Sequence, residues 1–172
     1  MSGAFTREPE GPMAGEADMD LPQSEHPNYI TRRGLDGLHG RLEALREERR
    51  QHAGGEDDIN DSLHVAQLDR EIRYVQTRID RAIPVDTARV DHESVGFGAR
   101  VTVVDDDGHE RHIHIVGEDE ADVAHDTVSW VSPLARALRG AEVGDTITWQ
   151  RPAGAVTLTV RAIAYPSDNE AR

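Results

Sequence analysis

Val65-Ala66-Gln67-Leu68-Asp69-Arg70-Glu71-Ile72-Arg73-Tyr74-Val75-Gln76-Thr77-Arg78-Ile79-Asp80-Arg81-Ala82 decides the reading of this chain. Val65, Leu68, Ile72, Val75, Ile79 and Ala82 recur at steps of three and four, which is the stripe of a helix that buries one face. A second stripe precedes it, in Leu35, Leu38, Leu42 and Leu45. Between the two lies Ala53-Gly54-Gly55-Glu56-Asp57-Asp58, where the glycine pair cannot continue a helix and gives a turn. The sequence therefore predicts an antiparallel helical hairpin with carboxylates at its tip. Thr31 is the expected cap of the first helix, which runs to about Gln51. The second helix is expected to start near Asp57 or Asp58, where an acid suits the helix dipole, and to end at Pro84.

Antiparallel pairing sets Leu35 opposite Ala82, Leu38 opposite Ile79, Leu42 opposite Val75 and Leu45 opposite Ile72. Further out, Arg49 meets Leu68 and His52 meets Val65, so the apolar seam weakens toward the tip. Continuing the phase of the second helix backwards lands on Asp61 and Asp58. A buried, unpaired carboxylate is costly, so both are expected beyond the packed layers, open to solvent or a metal. The seam closes on itself and leaves no spare apolar stripe, which argues for a monomer rather than a coiled-coil scaffold.

Composition bounds the rest. The formal net charge is -14 and the aromatic content 4%. That charge disfavours wrapping bare nucleic acid, which needs a basic surface, and so few aromatics disfavour a large aromatic pocket. There is no cysteine, which excludes disulfides and thiolate metal sites. No apolar run approaches the roughly 20 residues of a membrane span, and no signal peptide is recognisable, so the expected location is cytoplasmic. All 19 basic residues are arginine, the codon signature of a GC-rich bacterial genome. Residues 1–28 lack any period and read as a disordered acidic tail. Residues 29–84 form the hairpin, and 85–168 a second domain.

That second domain changes texture. Short β-branched runs at 100–104, 111–116, 127–131, 146–149 and 156–163 read as strands. Asp105-Asp106-Asp107-Gly108 is a hairpin turn, and 132–138 a short capped helix with Pro133 in its first turn. The fold class is α+β, with Val101, Val103, Ile115, Val128, Trp130 and Trp149 on the face that covers the helix. His109, His112 and His114 cluster on a turn and strand. His112 and His114 share a face and could take a metal, although an exposed strand face accounts for them more simply. Arg136 and Arg139 suit a helix C-terminal end, or a partner's acids.

Several runs together are specific to one family. They are Val95-Gly96-Phe97-Gly98-Ala99-Arg100-Val101-Thr102-Val103, Ile115-Val116-Gly117-Glu118-Asp119-Glu120-Ala121-Asp122, Val131-Ser132-Pro133-Leu134-Ala135-Arg136-Ala137-Leu138, Val143-Gly144-Asp145 and Pro152-Ala153-Gly154. In this order and spacing the chain resembles the Gre family of bacterial transcript cleavage factors, over about Asn28 to Pro166. The resemblance implies a coiled coil that enters the secondary channel of RNA polymerase and an FKBP-like domain that docks at its rim, near nascent RNA. It implies docking through Glu118, Asp119, Asp122, Ser132, Pro133 and Arg136.

In cleavage-active members an Asp-x-x-Glu pair at the tip helps hold a magnesium ion at the polymerase active site. The matching positions are Asp58 and Asp61, a tip pair that would share Mg²⁺ with the polymerase and assist catalysis there; the chain has no cofactor of its own and is not itself an enzyme. Two acids three residues apart lie on one helical face, and hard oxygen ligands suit Mg²⁺. The chain departs from the pattern in three ways. Asp61 stands where the family has Glu, and Ser62 where it has Asn, with the following aromatic absent. Each arm is also shorter by about seven residues, roughly 10 Å of reach at about 1.5 Å per residue. The expectation is a regulator that occupies the channel and modulates or inhibits elongation. The alternatives are stimulation of cleavage through the tip acids, or, in another class, a peptidyl-prolyl isomerase or binding module built around Phe97, Trp130, Trp149 and Tyr165.

Overall fold

Thr31 caps the first helix as its sequence position predicts: its hydroxyl accepts a hydrogen bond from the Gly34 amide at 3.0 Å, and its carbonyl accepts from Leu35 at 3.0 Å. The computed structural model describes residues 20–52 and 59–166. Helix α1 spans Arg32–His52 and α2 spans Ile59–Asp80. The expected Gly54-Gly55 turn, the predicted start of α2 near Asp57, and Asp58 lie outside the described residues. The helices run antiparallel. Arg41 reaches Glu71 at 3.4 Å, Arg46 reaches Gln76 at 2.9 Å, and Arg49 pairs with Asp69. Leu38, Leu42, Leu45, Leu68 and Val75 are buried together with Ile30, and Leu35, Ile72, Ile79 and Ala82 pack on them. The residues of both predicted stripes are thus buried against one another, as a helix with one apolar face requires.

The end of α2 is corrected. The helix stops at Asp80, not at Pro84. Ala82–Pro84 instead forms strand β2, parallel to β1, Asn28–Ile30. Proline disfavours the helical region for the residue before it, so Ile83 is extended. Asn28 is buried, and its amide donates to the Arg78 carbonyl at 2.7 Å, satisfying a carbonyl that the helix end leaves open. The two short strands thus close the base of the helical pair. The acidic tail is also corrected at its C-terminal end. Asp20 pairs with Arg73 at 2.7 Å, Ser24 donates to Glu118 at 3.0 Å, and His26 packs edge-on against Trp130. Residues 20–28 are therefore laid along the folded chain; residues 1–19 lie outside the described ones.

A five-stranded sheet follows, in the order β5-β4-β3-β7-β6. Its strands are β3 Arg100–Asp105, β4 Glu110–Val116, β5 Thr127–Ser129, β6 Thr146–Arg151 and β7 Gly154–Ala164. Within this sheet, β4 and β5 pair parallel and the other described neighbours antiparallel. Gly108, at φ 85°, turns β3 into β4. Helix α3, Pro133–Leu138, is capped by Ser132, whose hydroxyl accepts from the Ala135 amide at 3.1 Å. Val101, Val103, Ile113, Ile115, Leu158 and Val160 meet Leu134, Ala135 and Leu138 in one core, with Val128, Trp130 and Trp149 packed at its margin. The expected strands, helix and face are all present, so the chain is α+β.

The helical pair is joined to the sheet through a buried charge. Arg78 is 1% exposed, and its Nε donates to Asp119 at 2.8 Å. Its Nη2 donates to Asn28 and stands 3.6 Å from Glu118. At the next residue of the same run, Glu120 accepts from the Thr31 amide at 2.9 Å and from the Gly117 amide at 3.1 Å, and binds the Thr31 hydroxyl. Gly34 makes room for that carboxylate: a Cβ there would stand 2.2 Å from Glu120 Cδ. Replacing Arg78 with Ala leaves Asp119, whose side chain is 11% exposed, without its cation, and breaking a largely buried pair in this way costs about 3 kcal/mol. Urea unfolding should show that loss for Arg78→Ala and a change within about 0.5 kcal/mol for the exposed Arg136→Ala.

Candidate functional site

Among the described residues, four side chains on two helices come together at the tip end of the helical pair. Glu48 and His52 are one turn apart on α1, so they share a face. Asp61 and His64 are three residues apart at the start of α2 and share a face in the same way. The antiparallel register brings the two faces together. His52 Nδ1 lies 3.4 Å from Asp61, and His64 Nε2 lies 3.0 Å from Glu48. The two imidazole rings meet edge to face with centroids 4.7 Å apart. The side chains of His52 and Asp61 are each about 40% exposed. The neighbouring cations have other partners, since Arg49 pairs with Asp69 and Arg50 with Glu47.

Asp61 is therefore where the seam arithmetic puts it, past the last apolar layer, but it is turned onto an imidazole of the opposite helix. Sequence phase could place His52 beside Val65; it could not show that His52 and His64 would meet. The signal was one histidine on each side of the break, His52 directly before it and His64 directly before the second apolar stripe. Asp58, the other predicted tip acid, lies outside the described residues. Among the described residues the tip does not assemble the oxygen-rich set that Mg²⁺ demands. It offers two nitrogens and two carboxylates, and each carboxylate already faces a histidine.

The residues expected to dock a partner fall into two groups. Glu118 and Asp119 are turned inward onto Arg78, and Ser24 also binds Glu118. Asp122 caps a short turn by accepting from the Ala124 amide at 2.9 Å, and it binds His125 at 2.7 Å. The His125 contact, then the Ala124 amide, holds its carboxyl below the ordinary aspartate range. Ser132 is used as the cap of α3, while Pro133 and Arg136 on that helix are exposed. The acidic run thus serves first to hold the chain together.

Between the helical pair and the sheet lies a cleft of about 1020 Å³, lined by Arg33, Arg41, Arg100, His114 and Asp122 among others. No aromatic residue of the predicted isomerase set lines it. Phe97 packs edge-on against Tyr29, as does Trp130. Trp149 lies under Arg151, and Tyr165 donates to the Ser94 carbonyl at 2.7 Å. Phe97 and Trp130 thus share a contact with Tyr29, while Trp149 and Tyr165 have other partners. The histidine cluster also divides. His109 binds Asp105 at 3.3 Å and His112 meets Glu110 at 3.4 Å. Asp105 and Asp107 come within ligand range of His109, acids that the strand reading did not bring to it.

His114 is half-buried at the cleft. Burial lowers its pKa below the ordinary histidine range, and the charges of Arg100 and Arg33 push the same way, against a hydrogen bond with Gly98.

With this geometry in place, the comparisons with known proteins are direct. Residues 90–165 match the family described as Transcription elongation factor, GreA/GreB, C-term. Transcription elongation factor GreB of Neisseria meningitidis serogroup B is 33% identical over 157 residues, covering 83% of this chain and 96% of the relative. Transcription elongation factor GreA of Beijerinckia indica is 33% identical over 163 residues, covering 94% and 98%. Among solved structures, GreA factor homolog 1 of Thermus thermophilus is 26% identical over 81% of this chain and 99% of that one, with a TM-score of 0.39. The chain belongs to the Gre family of bacterial transcription elongation factors. Among the described residues no helix is long and apolar enough to cross a membrane.

The lowered pKa of His114 has a consequence for stability. The unfolded chain binds the proton at about pH 6.5, and the folded chain only below that. The contribution is complete above pH 6.5 and is lost as pH falls toward the folded pKa. Urea unfolding between pH 7.5 and 5 should therefore show a smaller acid loss for His114→Gln than for the wild type.

Proposed function

We propose that this chain is a regulator of RNA polymerase that enters the secondary channel with residues 29–84, as an antiparallel coiled-coil hairpin, and seats residues 85–168, as an FKBP-like domain, at the channel rim. It acts on an activity of the polymerase and is not itself an enzyme. It modulates or inhibits elongation rather than stimulating cleavage of backtracked RNA. The observation that carries this reading is the tip: Asp61, the described member of the expected acid pair, faces His52 at 3.4 Å across the helices. A carboxylate so engaged, one methylene shorter than the family's Glu and on short arms, is poorly disposed to help hold a magnesium ion elsewhere. Family membership supports the polymerase as partner, and the relatives named above are transcription elongation factors. Of the expected docking residues, Asp122 and, on α3, Pro133 and Arg136 are the exposed ones.

Stimulation of cleavage through Asp58 and Asp61 is the second reading. It is kept because both acids occupy the family's tip positions. Backtracked elongation complexes of the host polymerase distinguish the two. The wild type should slow elongation without strong RNA cleavage, and Asp58→Ala and Asp61→Ala should alter that inhibition. Fast cleavage by the wild type, lost in both variants, would establish the second reading instead.

A further inference from the structure

The donor atoms at the tip belong to a different metal from the one the family pattern calls for. Glu48, His52 and His64 each offer one ligand atom, and these atoms lie within 4.8 Å of one another. The geometry points to a zinc-class site made of these three side chains, with Asp61 as the carboxylate that orients His52.

Four features support it. First, the chemistry of the set is right. Imidazole nitrogen with carboxylate oxygen suits Zn²⁺ and its first-row neighbours, whereas Mg²⁺ takes oxygen almost alone. Second, the spacing is close to what a metal needs. Ligands about 2.0–2.1 Å from a tetrahedral zinc stand roughly 3.3–3.4 Å from each other. His64 Nε2 and Glu48 are already 3.0 Å apart, and the set of three needs to close by little more than an ångström. Third, the scaffold is regular. Glu48 and His52 are at i and i+4 on α1, and His64 comes from α2, so two packed helices hold the donors rather than a loop. Fourth, an outer carboxylate is present. Asp61 at 3.4 Å from His52 Nδ1 leaves the imidazole Nε2 as the nitrogen available to a metal.

Three protein ligands leave a fourth position for water or an incoming group, as in open zinc sites. The ion would tie the last turn of α1 to the first turns of α2. It would also commit Asp61 to His52. The net charge of -14 favours cation capture generally, so the test must separate this site from the rest of the surface. The cluster of Asp105, Asp107 and His109 at the β3–β4 turn is the internal comparison.

The experiment is a titration of the full-length, untagged chain with ZnCl₂ by calorimetry, and with CoCl₂ followed by visible absorption, without polymerase. It does not depend on the functional reading above. The expected result is one equivalent of Zn²⁺ per chain, with an intense visible band for Co²⁺. Binding should weaken at least roughly 10-fold in Glu48→Ala, His52→Ala and His64→Ala. Asp61→Asn should weaken it less, and His109→Ala should leave it unchanged. These side chains are partly exposed, so circular dichroism should stay at the wild-type spectrum in each variant. As a second readout, Zn²⁺ should raise the thermal midpoint of the wild type and of Asp61→Asn but not of His64→Ala. No measurable binding, binding retained in both histidine variants, or binding lost only in His109→Ala would each overturn the assignment.

Discussion

A single guanidinium, buried to 1% exposure, is what the arrangement of this chain hangs on. Arg78 sits at the end of α2 and is bound by Asn28 from the strand before α1 and by Asp119 from the turn after β4. A charge taken out of water is tolerable only with partners in good geometry. Three segments that are distant in sequence are thus brought to one point. The same short acidic run supplies Glu120 to the start of α1. The start of α1 and the end of α2 are therefore both held by residues 118–120, and the pair projects from that base. The tip is as far from the base as 21 and 22 helical residues allow.

This changes how the acidic run is understood. An exposed string of Glu118, Asp119, Glu120 and Asp122 looks like a surface for a basic partner. Packed, residues 118–120 are an internal connector, and the exposed positions nearby are Asp122, which caps its own short turn, and Pro133 and Arg136 on α3. A partner that bound through Asp119 would have to compete with Arg78 and would weaken the junction it was gripping.

The elements of the fold were legible because local signals and burial agreed. Leu38, Leu42 and Val75 lie in the predicted seam, and the predicted strands lie in the predicted face. The misreadings occurred where a local signal was right but incomplete. Pro84 does end helical structure, yet the chain leaves the helix four residues earlier because Asn28–Ile30 is waiting to pair with Ala82–Pro84. Nothing in Asn28-Tyr29-Ile30 marks it as a strand; three residues are too few to show a period. At the tip, the phase of α2 placed Asp61 beyond the apolar layers, but its partner was set by the other helix.

The sequence alone determined that two apolar stripes must close on each other, that a sheet must follow, and that Asp61 could not be packed in the seam. Those follow from periodicity and the cost of burying charge, both of which act over a few residues. Only the tertiary structure decided where the isolated polar groups go: Arg78 to Asp119, Glu120 to Thr31, His52 to Asp61 and His64 to Glu48. A hydrogen bond or ion pair needs its two atoms within about 3 Å, and no pattern along the chain carries that distance.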